Sequence, residues 1–147
     1  MATIDFTIRI ERSVEDVFRV LTTPELTPLW SESAIEEHVT TPGPVGIGSR
    51  RRATVRRLGG GTWENEIEVT DFEPNRRIAV RSVESIVPFA SAWTTAAADG
   101  GTRVDWRWEM QLRGWMRPFG PFVLGVFGRS FDRDLRRLKA IMESGDL

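Results

Sequence analysis

The sequence has no cysteine and no tyrosine, and it holds a single histidine, His38. Without cysteine the chain can form no disulfide, no thiolate nucleophile and no cysteine metal site. One histidine cannot build a histidine-rich metal site, and the spacing indicates no Ser-His-Asp arrangement. We therefore expect neither a metal nor a cofactor. His38 follows two glutamates near a strand end, so we expect it to be exposed, with general base as the alternative role.

The chain also lacks a sizeable net charge and a long apolar run. Basic and acidic residues number 20 and 21, so no overall field attracts nucleic acid or an anionic lipid surface. The longest apolar stretch, PFGPFVLGVFG at 118–128, is about half the length of a membrane-spanning helix. The N-terminal residues MATIDFTIRIERS lack the apolar run of a secretory signal. We therefore expect a soluble cytoplasmic protein with no nucleic-acid partner and no integral membrane association.

Alternation of apolar and polar residues dominates what is present. In TRVDWRWEMQLRGW, residues 102–115, Trp106, Trp108 and Met110 share one side and charged residues occupy the other. Because side chains of a strand alternate with a period of two, this pattern predicts a half-buried strand. The same reasoning predicts further strands at 3–11, 33–40, 47–58, 62–69, 76–84 and 89–98. Turn signals join the later strands, with Gly59-Gly60-Gly61 and Asp99-Gly100-Gly101 as the clearest.

Two short helices are predicted after the first strand, and one long helix at the C-terminal end. Ser13 is the expected N-cap of the first helix, and Thr23 that of the second, which ends near Trp30. From Pro118 or Pro121 the period lengthens to that of a helix, which indicates an amphipathic helix up to about 40 Å long. Its apolar stripe comprises Phe127, Phe131, Leu135, Leu138 and Met142.

These elements predict an α+β fold, with residues 1–147 as a single domain. Strands joined by hairpins form an antiparallel sheet, which can keep one face in water. The long C-terminal helix is the only predicted element that could cover the other face. A strongly twisted sheet curls, so a helix in its concavity contacts the ends of the sheet better than the middle. We expect a curved seven-stranded sheet wrapped on this helix, with space between them.

The order of segments resembles a known superfamily over nearly the whole chain. FTIRIERSVEDVFRVLTTPELTPLW precedes PVGIGSRRRATV, WENEIEVTDFEPNRRIAVRS and DGGTRVDWRWEM, and the amphipathic helix follows. This order is similar to that of the START-like (SRPBCC) superfamily, specifically its polyketide cyclase/dehydrase and lipid-transport group. The resemblance implies a helix-grip fold with an apolar ligand between helix and sheet. It implies no particular reaction, because members include carriers, cyclases, hormone receptors, quinone-binding proteins and chaperone activators.

Four tryptophans are predicted to face the concave side of the sheet: Trp63, Trp93, Trp106 and Trp108. A pure core seldom uses this many indoles, because each buried N–H needs a partner. Together with the resemblance, this predicts that they line an apolar cavity of roughly a few hundred Å³. Phe127 and Phe131 of the C-terminal helix are further predicted ligand contacts. The alternative is that the indoles fill the space between sheet and helix completely.

Two polar residues, Asn65 and Asp134, also fall on this inner face. The buried Asn65 amide must be hydrogen-bonded, and the alternatives are a bond that orients a ligand and a structural bond to the neighbouring strand. Asp134 lies within the apolar stripe of the long helix, where an unpaired carboxylate would be costly. We expect a structural ion pair with an inward arginine, with a catalytic acid or ligand contact as the alternative. The candidate arginines are Arg51, Arg57 and Arg81.

Glu64, Glu66 and Glu68 occupy the opposite, solvated face of their strand. We expect them to pair across strands with arginines such as Arg52, Arg56 or Arg77.

The segment 115–127 is the least regular part of the sequence, because its apolar residues surround the helix and glycines weaken it. Three interpretations stay open. The segment is a mobile lid over the pocket, or a homodimer contact, or it is buried by the loops around Trp30 and Pro88.

These observations favour a protein that binds a hydrophobic small molecule such as a lipid, a quinone or a polyketide-like aromatic. An enzyme of the cyclase or dehydratase type is the second interpretation. It needs a placed acid or base, for which only Asn65, Asp134, His38 or an inward arginine is available, and we assign no catalytic residue. A protein-interaction module of the same fold is the third, and a solid interior would favour it.

Overall fold

The structure is a computed structural model that describes residues 2–57, 59–85 and 87–147. Within these residues the strands are β1 Ala2–Ile10, β2 Ala34–Val39, β3 Arg50–Arg56, β4 Thr62–Glu73, β5 Arg77–Glu84, β6 Phe89–Ala98 and β7 Gly101–Met110. The helices are α1 Val14–Leu21, α2 Thr27–Trp30 and α3 Gly120–Ser144, with 3₁₀ turns at Pro24–Leu26 and Gly114–Phe119. The predicted α+β class and order of elements are confirmed. Gly59 to Gly61 form the predicted turn. The preceding residue, Leu58, lies outside the described residues.

The strands form one antiparallel sheet in the order β1-β7-β6-β5-β4-β3-β2. Each strand from β2 onward pairs with the next one in sequence, while β1 pairs with β7. The β6–β7 hairpin turns on Asp99 and Gly100, whose φ values are 48° and 84°. Positive φ at both central residues is what a two-residue type I′ turn requires. The sheet curls around α3, as predicted for a helix-grip fold.

A side-chain hydrogen bond caps the first of the two short helical segments and not the second. The Ser13 hydroxyl accepts a hydrogen bond from Asp16 N at 3.2 Å, so it is the N-cap of α1. Thr23 is the N-cap residue of the 3₁₀ turn Pro24–Leu26, as predicted, but its side chain makes no capping hydrogen bond. Its hydroxyl donates to the Arg19 carbonyl at 2.6 Å and closes the end of α1 instead. The predicted second helix is divided into the 3₁₀ turn Pro24–Leu26 and the short α2.

The two halves of α3 differ in burial. From Phe131 onward the predicted apolar stripe packs into the core, where Leu138 and Met142 are fully inaccessible to solvent. In the N-terminal half of α3 no side chain as large as leucine is fully buried, and Phe127 is only half-buried. Because each fully buried aliphatic side chain contributes about 1.5–3 kcal/mol, the C-terminal half anchors the helix. Space is left below its first half.

The convex face of the sheet carries ion pairs between arginines and the glutamates of β4. The pairs, with nitrogen–oxygen distances, are Arg52–Glu64 at 3.3 Å, Arg50–Glu66 at 3.5 Å, Arg50–Glu68 at 3.1 Å and Arg81–Glu68 at 3.3 Å. The arginines that flank Glu68 hold the pKa of that carboxyl below its usual range through hydrogen bonds and charge.

Two of the predicted partners of these glutamates are wrong. Arg56 donates to the Glu32 carbonyl at 3.2 Å, because β3 ends there beside the segment after α2. Arg77 pairs with Asp71 at 2.8 Å. A bulge between Val69 and Asp71 shifts the register of β4 against β5, which brings these two residues together.

Candidate functional site

A cavity lies between the concave face of the sheet and α3. It consists of an outer chamber of about 260 Å³ and an inner chamber of about 130 Å³. The two chambers are adjacent, because they share the lining residues Ser33, Val55, Asn65, Phe89, Trp108 and Phe131. Their combined size falls at the lower end of the range of small-molecule sites, about 300–1,000 Å³.

The outer chamber is mainly apolar. Its wall includes Val55, Trp63 and Phe89 from the sheet, and Val126 and Phe127 from the N-terminal half of α3. These side chains meet there because the inward positions of β3, β4 and β6 face the weakly packed half of the helix. The chamber can therefore hold an apolar body.

The tryptophans of the sheet both complete the core and line the cavity. Trp93 and Trp106 stack with ring centroids 4.3 Å apart and an interplanar angle of 6°. The Trp106 indole N–H donates to the Ser91 hydroxyl at 2.7 Å, so its polar atom is satisfied in the core. Trp108 stacks on Phe89 at 4.5 Å, and its indole N–H is buried without a partner in the described part of the chain. The indoles do not fill the space between sheet and helix, so that alternative is wrong.

Asn65 is buried at the boundary between the two chambers. Its Oδ1 lies 2.8 Å from the Ser85 hydroxyl, which donates to it from the end of β5. The structural bond to the neighbouring strand, one of the two alternatives, is therefore present. The residue also lines both chambers, so contact with a ligand stays a prediction.

Asp134 is only 2% exposed and lines the inner chamber. Its Oδ2 accepts a hydrogen bond from the Ser31 hydroxyl, and its Oδ1 accepts one from Glu32 N, both at 3.1 Å. These bonds fix α3 to the end of α2. Burial raises the pKa of Asp134, while the two hydrogen bonds and the charge of Arg137 lower it.

The predicted ion pair of Asp134 with an inward arginine is wrong. Arg81 lies on the convex face with Glu68, and Arg57 lines the outer chamber. Arg51 does point inward, as predicted, but its charge acts on Glu37. The hydroxyl and amide donors at the end of α2 take the place of the guanidinium beside Asp134.

Glu37 of β2 and Arg51 of β3 also line the inner chamber. Burial raises the pKa of Glu37, and the Arg51 guanidinium and the Thr27 hydroxyl lower it. Glu37 as a residue is partly exposed, whereas its Oε2 is inaccessible and has no hydrogen-bond partner among the described residues. The Nε of Arg51 is likewise buried and unpartnered there.

Sequence reasoning missed Glu37 and Trp30 as lining residues. Alternation in β2 would place Glu37 with Ile35, but a bulge between Ala34 and Glu36 breaks the alternation. Ala34 and Glu37 then both face inward, and Ile35 is exposed. Trp30, predicted only as a helix end, packs edge-on against Trp93 at 5.9 Å. No sequence signal distinguishes the bulge, whereas a tryptophan after a short helix could have been suspected.

His38 is exposed and lies outside both chambers, with its Nδ1 4.0 Å from Glu36 Oε1. This position agrees with the expected exposure and gives no support to a general base in the cavity. In the described ranges, no cluster of three or more His, Asp or Glu side chains could hold a metal ion.

The geometry of this cavity agrees with the family that the sequence matches. Residues 1–143 match the family model described as "Polyketide cyclase / dehydrase and lipid transport". The chain belongs to this family. An uncharacterized protein of Mycobacterium tuberculosis, Rv2574, is 32% identical over 139 residues, which cover 89% of this chain and 80% of that relative.

Solved structures similar to this member of the polyketide cyclase / dehydrase and lipid transport family share its fold. A START superfamily protein from Mycobacterium smegmatis matches with a TM-score of 0.80 at 15% identity, covering 98% of this chain and 99% of its own. The di-domain ARO/CYC StfQ from the steffimycin biosynthetic pathway matches with a TM-score of 0.79 at 12% identity. That match covers 99% of this chain and 51% of StfQ. At such identities the likeness shows the fold alone, and the predicted helix-grip architecture is confirmed.

The segment 115–127 of this family member borders the outer chamber only at its C-terminal end. Trp115 and Phe122 are 78% and 72% exposed, so burial by the loops around Trp30 and Pro88 is wrong. Val126 and Phe127 line the chamber. The lid and the homodimer contact stay predictions. In the described part of the chain, no helix is both long and apolar enough to cross a membrane.

Proposed function

We propose that this family member binds an apolar small molecule, such as a lipid, a quinone or a polyketide-like aromatic, between the sheet and α3. Residues 1–147 act as one ligand-binding domain in the cytoplasm. The observation that carries the proposal is the pair of adjacent chambers of about 260 and 130 Å³. The chambers stay open although tryptophans and phenylalanines surround them. Side chains selected only to form a solid core would leave no such space, because protein interiors are normally close-packed.

The proposed ligand contacts divide between the two chambers. Trp63 and Phe127 line the outer chamber, and Trp93, Trp106 and Asp134 line the inner one. Asn65, Trp108 and Phe131 line both. Aromatic faces bind flat apolar bodies with little loss of side-chain entropy, because their own rings are already held by stacking.

Two measurements test this proposal. Native mass spectrometry of the purified protein should reveal a bound apolar molecule. Alternatively, added 2-methylnaphthalene should bind, which quenching of tryptophan fluorescence measures. At roughly 0.5 kcal/mol per non-hydrogen atom, such a probe binds with a Kd on the order of 100 µM. A protein that carries no ligand and takes up no aromatic probe would contradict the proposal.

A variant that fills the outer chamber provides the matched comparison. Ser130 lines this chamber, so Ser130→Phe should weaken binding of 2-methylnaphthalene at least about tenfold. Arg129→Phe adds the same ring one position earlier, at an exposed residue outside both chambers. It should leave the Kd within about twofold of the parent protein. Equal effects of the two variants would place the binding elsewhere.

A cyclase- or dehydratase-type enzyme is the second candidate function. One observation favours it: the inner chamber holds two carboxyl groups whose pKa is raised by burial, Glu37 and Asp134. Carboxyl groups with raised pKa are suited to exchange protons with a bound carbonyl compound. If this function holds, Asp134→Asn or Glu37→Gln should abolish conversion of a poly-β-keto chain without preventing its binding. The third interpretation, an interaction module with a solid interior, finds no support in the chambers described above.

A further inference from the structure

The inner chamber is lined by a hydrogen-bond donor, Arg51, and an acceptor, Glu37, from neighbouring strands. In the β2–β3 register Val39 opposes Arg51 and Glu37 opposes Ala53, so Glu37 and Arg51 are diagonal neighbours on one face. Diagonal cross-strand neighbours are about 7–8 Å apart, within reach of one another for long side chains. The bulge before Glu36 turns Glu37 onto the concave face, where Arg51 already points. A backbone irregularity therefore adds a second carboxyl group, Glu37, to the inner chamber that Asp134 also lines.

Arg51 is an exception among the arginines of β3. Arg50 and Arg52, its neighbours in the strand, both pair with glutamates of β4 on the convex face. Arg51 and Glu37 influence each other by charge, yet Arg51 Nε and Glu37 Oε2 have no hydrogen-bond partner among the described residues. Buried polar atoms without partners are destabilising, so a ligand that pairs with both atoms gains binding energy there. Both side chains have several rotatable bonds and can turn these atoms toward a guest.

We infer that Glu37 and Arg51 form a subsite for the hydroxyl group of an otherwise apolar aromatic ligand. The hydroxyl donates to Glu37 Oε2 and accepts from Arg51 Nε–H, while the ring lies among the indoles of the inner chamber. The inference rests on the proposed function, and it names the ligand class of the same cavity. A hydroxyl both donates and accepts, as this pair requires. A carboxylate would be repelled by Glu37, and a hydrocarbon would leave both buried atoms unpaired.

Three probes with one bicyclic body separate these possibilities. 2-Naphthol can donate and accept, 2-methoxynaphthalene can only accept, and 2-methylnaphthalene can do neither. We expect 2-naphthol to bind about tenfold or more tightly than each of the other two, since a hydrogen bond to a charged group contributes this much. The Kd values follow from quenching of tryptophan fluorescence. 2-Naphthoate, which carries an anion in the same place, should bind more weakly than 2-naphthol.

Methionine substitutions identify the residues responsible. Glu37→Met keeps the length of the side chain and removes its polar atoms, and Arg51→Met removes the guanidinium and leaves a shorter apolar side chain. Each should bring the Kd of 2-naphthol to within about twofold of that of 2-methylnaphthalene. Glu36→Met and Arg52→Met make the same changes at exposed positions of the same strands, and the tenfold preference should persist in both. Circular dichroism establishes that each variant is folded.

The outcomes distinguish this inference from the function on which it rests. If none of the neutral probes binds the parent protein, the hydroxyl subsite is wrong, and the proposed function fails with it when native mass spectrometry also reveals no bound molecule. If all three bind with equal Kd values, or if 2-naphthoate binds tightest, the cavity binds ligands but the hydroxyl subsite is wrong. Persistence of the 2-naphthol preference in both Glu37→Met and Arg51→Met would also overturn it. The comparison of probes on the parent protein needs no variant, so misfolding of a variant leaves the test intact.

Discussion

Replacing Asp134 by asparagine should leave the free energy of unfolding at neutral pH unchanged or higher, whereas alanine should lower it. The Asn Oδ1 can accept from Glu32 N, and its Nδ2 can donate to the Ser31 hydroxyl, which can rotate to accept. Alanine removes both bonds and leaves two donors unpaired, at about 1–3 kcal/mol each. We therefore expect Asp134→Ala to cost about 3 kcal/mol, which lowers Tm by about 6–12 °C in a domain of this size.

The pH dependence of the Asp134→Asn variant tests whether the pKa of Asp134 is raised in the folded protein. Burial raises the pKa of Asp134 in the folded protein, so the fold favours the protonated carboxyl. This group contributes stability below its unfolded pKa and loses that contribution as the pH rises through the folded pKa. Asparagine does not titrate. The free energy of unfolding of Asp134→Asn minus that of the parent should therefore increase between about pH 4 and pH 7.

Urea denaturation followed by circular dichroism, at both pH values, measures these differences. Asp132→Asn is the matched control, since Asp132 lies on the same helix and pairs with Arg136 at 3.1 Å on the exposed side. Its loss should change the free energy of unfolding by less than about 1 kcal/mol. If Asp134→Asn destabilises as much as Asp134→Ala at neutral pH, or if its advantage shrinks as the pH rises, this account of the carboxylate is wrong.

Three further substitutions test packing, each by its midpoint in urea. Gly125→Ala should raise the free energy of unfolding by about 1 kcal/mol, because its Cβ would meet nothing within 4 Å on a helix, and a lower midpoint would contradict this. Gly101→Ala should lower the free energy of unfolding by more than about 1 kcal/mol, because the new Cβ would lie 2.7 Å from the Ile10 carbonyl oxygen. An unchanged midpoint would refute this close approach. Leu138→Ala should cost about 3–5 kcal/mol at this fully buried position, and a loss below about 1 kcal/mol would show that the core collapses around it.

Regular strands made much of the cavity wall predictable from the sequence. In β7 the alternation holds without interruption, so Trp106 and Trp108 were placed correctly on the concave face. The β3–β4 pairing is also regular from Arg50 to Arg56, which is why Trp63 and Asn65 line the cavity as expected. A period of two needs no knowledge of the partner strand, so sequence alone suffices wherever the ladder is unbroken.

The polar groups of the cavity were not predictable in the same way. The β2 bulge reverses the side on which Glu37 lies, and a one-residue irregularity leaves no compositional trace in AIEEHV. The partners of Asp134 are Ser31 and Glu32, which follow a helix of four residues more than a hundred positions earlier. Their approach depends on how α2 docks against α3. An arginine was the obvious partner for a buried carboxylate, but a hydroxyl and a backbone N–H meet the same need.

The size of the side chains along α3 determines where the solid core ends and the cavity begins. Leu135, Leu138 and Met142 fill the interior completely, whereas the preceding turns offer Gly128 and Ser130. Ser130 lines the outer chamber. Phe131 marks the boundary, since its ring lies 4.7 Å from that of Trp106 on the core side and also lines both chambers. The helix that stabilises the sheet at one end thus borders the cavity at the other, because its fully buried side chains lie in the C-terminal half while Phe127 and Ser130 line the outer chamber.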